Sequence, residues 1–311
     1  LVWAGDRADE FEMRLQGATY LEIMAAGGGI MRTVRATRAA SPEQLEAESF
    51  LRLREMLAHG TTTAEAKTGY GLTTEDECKQ LRVIQTLGQA QPVELVPTFL
   101  GAHLVPAEWK ENPDGYVHLL VEEMLPAVKA WWEAEAPGQA LFCDVFCDEG
   151  AFDLAQSRRI LEAAQGLGFG LKLHVDEFKS LGATTLGVEL GATSVDHVVC
   201  TPQEELLALA RSNTVTVSLP GTTFGLGHAD YTPARTLIEA GGALALCAAT
   251  VNAAWACGRG ASVGSLEPGK QADVIMLDLP TYTHLAYRFG SNPVQTVIKR
   301  GQIVHTTEAR G

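Results

Sequence analysis

No uncharged apolar run in the 311 residues reaches the roughly 18 that a membrane-spanning helix needs. A membrane span is therefore not expected. Cysteine is sparse: six residues, at 78, 143, 147, 200, 247 and 257, lie mostly inside apolar runs. That number and placement do not make a disulfide scaffold, and they read as reduced thiols of a cytoplasmic protein. Basic residues are outnumbered, 24 Lys and Arg against 38 Asp and Glu, for a net charge of −14. A chain this acidic repels phosphate backbones, so nucleic acid is not an expected partner. The opening Leu1-Val2-Trp3-Ala4-Gly5-Asp6-Arg7 has no basic stretch, no long apolar core and no initiator Met. It does not read as a signal peptide, and the chain is expected to begin partway through a longer gene product. The Gly27-Gly28-Gly29 run lacks the preceding strand and the spacing of a nucleotide-binding loop.

What the sequence does contain is an ordinary globular composition, 46% apolar and 20% charged. Extended runs at 60–67, 93–100, 140–146, 170–175, 192–199, 214–219 and 242–246 alternate with amphipathic stretches at 74–87, 115–133, 154–167, 182–190, 202–211 and 233–240. Alternation of this length implies βαβ units, a parallel sheet and an α/β barrel with seven of the usual eight strands. After Gly258 the texture changes. Val263 to Leu277 reads as turn then strand, and Pro293 to Val304 as a hairpin around Arg300-Gly301, with no helices expected. The expected division is a barrel over 1–260 and part of a small β-sandwich over 261–311, too short to stand alone. One junction breaks the pattern: Ala243-Leu244-Ala245-Leu246 runs directly into a helical pattern at Cys247, without the loop a βα connection normally takes.

The densest chemical signal is Leu171-Lys172-Leu173-His174-Val175-Asp176-Glu177. Strand alternation puts Lys172, His174 and Asp176 on one face. The carboxyl end of a barrel strand is the catalytic rim, and a His there beside Glu177 suits a metal ligand next to a proton-transfer carboxylate. The plainer alternative is a hydrogen-bonded core histidine with a solvated glutamate. The next strand ends in Ser194-Val195-Asp196-His197 and an earlier one in Gly101-Ala102-His103. Three histidines on one rim are harder to assign to structure alone. Tyr70, in Thr68-Gly69-Tyr70-Gly71, follows the first complete strand and either binds substrate or caps the barrel. Arg7 either clamps a carboxylate or forms a surface ion pair. Glu65 and Lys67 share a strand face and are expected to pair inside the barrel. Cys143 and Cys147 read as core thiols. His59, His118, His284 and His305 are expected to be structural, and His228 stays open.

The segments AGDRADEFEMRLQGATYLEI, TAEAKTGYGL, PTFLGAH, FCDVFC, LKLHVDEF, SVDH, ATVNAAWACGRG and GSLEPGKQADVIMLD, spread over nearly the whole chain, resemble the imidazolonepropionase family of the amidohydrolase superfamily. GSLEPGKQAD is general to the superfamily, whereas AGDR…LQGATY and KTGYGL are specific to the family. The resemblance implies a (β/α)8 TIM-like barrel of the amidohydrolase type. It implies hydrolysis of the cyclic amide of 4-imidazolone-5-propanoate to N-formimidoyl-L-glutamate, with one zinc or iron ion activating water, and a homodimer in the cytoplasm. By matching motif, His174 is a metal ligand; Arg7, Tyr70, His103 and Glu177 contact substrate; Glu177 and His197 are catalytic, bordering the reacting ring.

The family pattern also contains a His-x-His pair on its first barrel strand and an Asp-x-Asn-Pro-Gly type motif after its last. Neither is in this sequence, and the second would fall at the Leu246–Cys247 junction. With His174 alone of those ligands, the chain as given is expected to bind metal weakly and to hydrolyse little, since a catalytic zinc normally takes three protein ligands. An incomplete sequence explains this better than decay, because both gaps fall at strand ends while His174, Glu177, His197, Tyr70 and Arg7 remain. The other readings are a catalytically inactive pseudoenzyme and a related heterocycle amidohydrolase or deaminase.

Overall fold

The computed structural model describes residues 1–18, 22–23, 26–246, 250–287 and 290–307. Parts of two family-like segments and the Leu246–Cys247 junction, with Cys247 itself, lie outside the described residues.

The chain opens with α1 (Ala8–Leu15), and α2 (Ile30–Ala39) and α3 (Pro42–Ala58) precede the first strand. Ser41 caps α3 by accepting from the Gln44 N–H, with Pro42 in the first turn where its missing N–H costs nothing. Then β1 (Thr63–Lys67), α4 (Thr74–Ala90), β2 (Glu94–Ala102), α5 (Pro113–Leu119) and α6 (Leu125–Glu135) follow, the last two joined through a π turn. β3 (Phe142–Cys147), α7 (Leu154–Gly166), β4 (Gly170–Val175), α8 (Ala183–Glu189), β5 (Ser194–His197) and α9 (Gln203–Ala210) continue the alternation. It ends with β6 (Val215–Ser218), α10 (Pro220–Leu226), α11 (Ala234–Glu239), β7 (Leu244–Leu246) and α12 (Thr250–Ala256). The strands pair in parallel in chain order from β1 to β7, as the alternating pattern predicts.

The sheet curls into a half-barrel, and the ion pairs across its hollow show how far. β1 and β5 are four strands apart, about 19 Å in a flat sheet. Yet Lys67 Nζ on β1 lies 3.0 Å from Asp196 Oδ2 on β5. Outside the curl, Leu81, Ile84, Leu120, Met124, Val128, Ile160, Leu161 and Leu186 pack the helices against Val145, Leu171, Leu173 and Val195 as one continuous apolar core. This is the ordinary α/β logic of helices covering a parallel sheet.

The small sheet is antiparallel, in the order β10 (Gln302–Thr306), β9 (Val294–Lys299), β8 (Val274–Leu277). Its hairpin turns at Arg300 and Gly301, both with positive φ (51° and 76°), the backbone of a tight I′ turn whose twist matches the strands. A four-residue helix, α13 (His284–Tyr287), interrupts the C-terminal piece, for which the sequence pattern predicts no helix. No strand-like pattern competes with it there, and Thr281 and His284 close it by a 2.9 Å side-chain hydrogen bond. The sheet leans on the barrel: Lys299 and Arg300 reach Glu94 on β2, and Asn292 donates to the Ala58 carbonyl at 2.9 Å.

Candidate active site

Alternation along β1, β3, β4 and β5 turns Glu65, Lys67, Asp144, Lys172, His174, Ser194 and Asp196 toward the hollow of the curl. The register sets His174 beside Asp196 and Phe146. Glu65 and Lys67 do pair, at 3.1 Å, but only as part of a larger network. Lys67 Nζ also lies 2.5 Å from Asp144 Oδ2, and Lys172 Nζ lies 3.4 Å from Glu65 Oε2. Lys172 donates to the Ala256 carbonyl at 2.5 Å and to Ser194 Oγ at 3.2 Å. Burial opposes charge on Lys67, but Asp144, Asp196 and Glu65 hold its ammonium well above the usual lysine range. Burial likewise opposes ionisation of Asp144, yet His174 and Lys67 hold its carboxyl far below the usual carboxylate range.

Toward the carboxyl ends the surface becomes aromatic and imidazole-rich. Tyr70, His103, His174 and His197 form a chain of neighbouring rings, with centroids 5.3, 6.1 and 5.3 Å apart in turn. Trp3 extends it beyond Tyr70, at 6.3 Å. Glu177 closes the other end, its Oε1 3.5 Å from His197 Nδ1. Tyr70, His103, His174, His197 and Glu177 are thus assembled on one rim, as the motif positions require. Arg7 stands at the start of α1, close enough for its charge to act on the Tyr70 hydroxyl. His228 sits behind Glu177 on a loop, its ring 5.6 Å from Phe178.

Strand alternation fails twice at this rim, and both failures shape the site. Asp176 does not share the His174 face. Its φ of 52° turns it out of the strand, and its carboxylate, fully buried, accepts from Thr184 and Thr201 hydroxyls at 2.8 and 2.6 Å. His197 pairs in register with Val175, which faces the helices, but φ values of 75° at His197 and 54° at Val198 break the strand there. That backbone is uncommon for bulky residues and costs energy. It coincides with the His197 ring meeting His174.

Buried carboxylates hold the rim loops. Glu77, on α4, accepts from the N–H groups of Gly69, Gly71 and Leu72, which fixes the loop carrying Tyr70. Gly69 has φ 101°, and a Cβ there would lie 2.9 Å from the Leu100 side chain and 3.1 Å from His103 Nδ1. Asp148 accepts from the N–H groups of Glu177, Phe178 and Lys179. Asp144, Asp148, Asp196 and Glu77 were not singled out from the sequence. The available signal was a lone acid inside an otherwise apolar strand, as in Phe142-Cys143-Asp144-Val145-Phe146.

Burial sets the protonation of the rim. It pushes the Glu177 carboxyl up to about 7 against the pull of His174. Burial, with His174 beside it, drives His197 down to about 3 and His103 down to about 4. Both imidazoles are neutral at pH 7. His103 Nδ1 lies 3.0 Å from the Gly69 carbonyl, so that nitrogen donates and Nε2 keeps its lone pair. Cys143 and Cys147 are wholly buried core thiols, and burial pushes Cys147 up to about 11.

The donor set supplies part of a metal site at His174. Asp144, His174 and Asp196 offer ligand atoms all within 4.8 Å of one another. Asp144 is engaged through both oxygens, by His174 Nδ1 at 2.9 Å and by Lys67. Asp196 Oδ1 is buried with no hydrogen-bond partner among the described residues. His174 Nε2 and Asp196 Oδ1 are therefore the donors left over, an imidazole nitrogen and a carboxylate oxygen of the kinds zinc and iron take.

Known proteins supply the family. Imidazolonepropionase of Herpetosiphon aurantiacus is 52% identical over 340 aligned positions, covering 98% of this chain and 80% of the relative. That of Chloroflexus aggregans is 49% identical over 344 positions, covering 99% and 81%. The chain belongs to the imidazolonepropionase family. Residues 237–304 also match the model of the amidohydrolase family. Among solved structures, an adenosine deaminase from Xanthomonas campestris with bound zinc superposes with a TM-score of 0.66 at 19% identity, covering 91% of this chain and 74% of the other. A variant of atrazine chlorohydrolase from Arthrobacter aurescens TC1, complexed with zinc and atraton, gives 0.68 at 13% identity, covering 92% and 77%. These two show the shared fold. The spans of 340 and 344 positions exceed the whole 311-residue chain. Both relatives therefore carry residues inside the matched region that this chain lacks.

Proposed function

We propose that this rim hydrolyses the cyclic amide of 4-imidazolone-5-propanoate to N-formimidoyl-L-glutamate. The carrying observation is Glu177: a carboxyl raised to about 7 by burial, 3.5 Å from a neutral imidazole and on the same rim as His174. A general acid–base near neutral pH needs that proton affinity. His174 holds one zinc or iron ion through Nε2, with Asp196 Oδ1 as the neighbouring donor. When bound, the ion supplies Lewis-acid polarisation of the ring carbonyl and an acidified water.

The other groups divide the substrate between them. Arg7 takes the propanoate carboxylate in a two-point guanidinium contact, with the Tyr70 hydroxyl beside it. Burial raises that hydroxyl above its ordinary value, so it stays a donor. His103, locked through Nδ1 to the Gly69 carbonyl, offers its Nε2 lone pair to a ring N–H. Glu177 takes the proton that attack on the carbonyl releases and returns it to the departing ring nitrogen. His197, neutral and in contact with Glu177, donates a hydrogen bond to the oxygen on which charge develops. Tetrahedral collapse breaks the ring C–N bond and leaves the formimidoyl group on the glutamate nitrogen. The homodimer and the cytoplasmic location belong to the same proposal.

The test is product identity. Metal-loaded protein given 4-imidazolone-5-propanoate is expected to yield N-formimidoyl-L-glutamate by mass spectrometry, with one solvent oxygen incorporated from labelled water. Binding of the substrate with metal in place and no product would overturn the reading in favour of a pseudoenzyme. Ammonia release from an aminated ring instead would point to a deaminase.

A further inference from the structure

Asp144 is a wholly buried carboxylate that the reaction above does not use. We propose that it is a positioning residue: clamped by Lys67, it fixes the proton of His174 on Nδ1 and turns Nε2 toward the reacting side. The proposal rests on the reading of His174 as a metal ligand.

The geometry carries it. Asp144 Oδ2 lies 2.5 Å from Lys67 Nζ, and that ammonium is itself held by Asp196 at 3.0 Å and Glu65 at 3.1 Å. A carboxylate pinned so closely to an ammonium is ionised and accepts only. Its other oxygen, 2.9 Å from His174 Nδ1, must therefore receive a proton from that nitrogen. Only one orientation of the ring satisfies this bond, and in the neutral ring it leaves Nε2 with a lone pair. Both neighbours of Asp144 in β3 are apolar, and Phe146, two residues on, packs edge-on against His174 at 5.8 Å, so the ring has little freedom to turn. Each oxygen of Asp144 already serves one buried partner, whereas Asp196 Oδ1 has none among the described residues. A carboxylate behind a metal-bound histidine typically changes metal affinity by about 10–100-fold.

Protein labelled with ¹⁵N at histidine reads the tautomer directly, without metal or turnover. At pH 9 the His174 ring, assigned by the His174→Gln variant, is expected to carry its proton on Nδ1 and show an unprotonated Nε2. Asp144→Leu should shift His174 toward the Nε2–H form, and zinc affinity by chelator competition should fall about 10–100-fold. Asp144→Asn has one acceptor oxygen for two donors; with that oxygen on the Lys67 ammonium its amide N–H faces Nδ1, so this variant too should shift His174 toward the Nε2–H form and lose affinity. If Asp144→Leu fails to fold, Asp144→Asn against the wild type decides the point. A wild-type His174 protonated on Nε2, or one tautomer unchanged in Asp144→Leu, would overturn the proposal. A wild-type Nδ1–H form in a protein that binds no zinc would support the orientation and overturn the metal assignment on which its purpose rests.

Discussion

The carboxyl ends of β4 and β7 lie in the same parallel sheet and differ in nearly every physical respect. At β4, Lys172, Leu173, Val175 and Asp176 are buried, and the following loop has its N–H groups taken by Asp148 and Asp176. At β7, the strand is three residues long and Leu246 is 51% exposed. Phe224 on α10 and Trp255 on α12 are 71% and 52% exposed. Among the described residues β7 pairs on one side only, with β6. An exposed apolar surface of this kind calls for a covering element. The relatives have more residues inside the matched span than this chain has. One family motif missing from the sequence falls at Leu246–Cys247. Ordered chemistry thus sits where carboxylates tie loops to strands, and the exposed apolar surface sits beside that junction.

Substitutions sharpen that contrast, the largest effects falling at β4. His174→Ala should abolish the zinc or iron binding that the wild type shows in equilibrium titration, and turnover with it. Glu177→Gln should lower kcat by about 10²–10⁴-fold while leaving substrate binding close to wild type. The same change should stabilise the protein in alkaline solution. The Glu177 carboxyl is raised from 4.5 to about 7, so its folded form holds more protons than its unfolded form between those values. Its contribution is fully present below pH 4.5 and is lost as pH rises through 7. Glutamine removes that loss, so the gain in thermal midpoint should be larger at pH 8 than at pH 5; equal gains would contradict the burial argument.

His103 and His197 have the opposite sign. Their folded values, about 4 and about 3, lie below the unfolded 6.5. Their contribution is present above pH 6.5 and is lost as pH falls toward those values. Acid denaturation of His197→Gln should therefore begin at lower pH than that of the wild type, read by circular dichroism. Leu173→Ala, in the sealed part of the sheet, should cost about 2–5 kcal/mol in denaturant unfolding. Leu246→Ala, at the open edge, should change stability by no more than about 0.5 kcal/mol. Equal costs would show that the β7 end is buried in solution.

Much of this was legible in the sequence, for identifiable reasons. Most strands of the half-barrel are short apolar or β-branched runs, so periodicity and length locate them, while β1, Thr63–Lys67, alternates alanine with charge. The rim histidines were legible because each ends such a run. Asp144 and Asp196 were not, although both lie in quoted segments. Their partner Lys67 is on β1, and only the curl brings it across to β3 and β5. Sequence spacing carries no measure of that curvature. The turn of Asp176 away from the face of His174 was hidden for another reason: positive φ at Asp176, His197 and Val198 has no glycine to announce it.

The central claim is that the chemistry is organised around His174 at the β4 rim. Anomalous X-ray diffraction at the zinc edge, on crystals soaked in zinc, tests it most directly. The account predicts a single strong peak about 2.0–2.1 Å from His174 Nε2, on the side facing Glu177 and His197. A peak in the Asp144–Lys67 network with His174 Nε2 free, or strong peaks only elsewhere on the molecule, would contradict it.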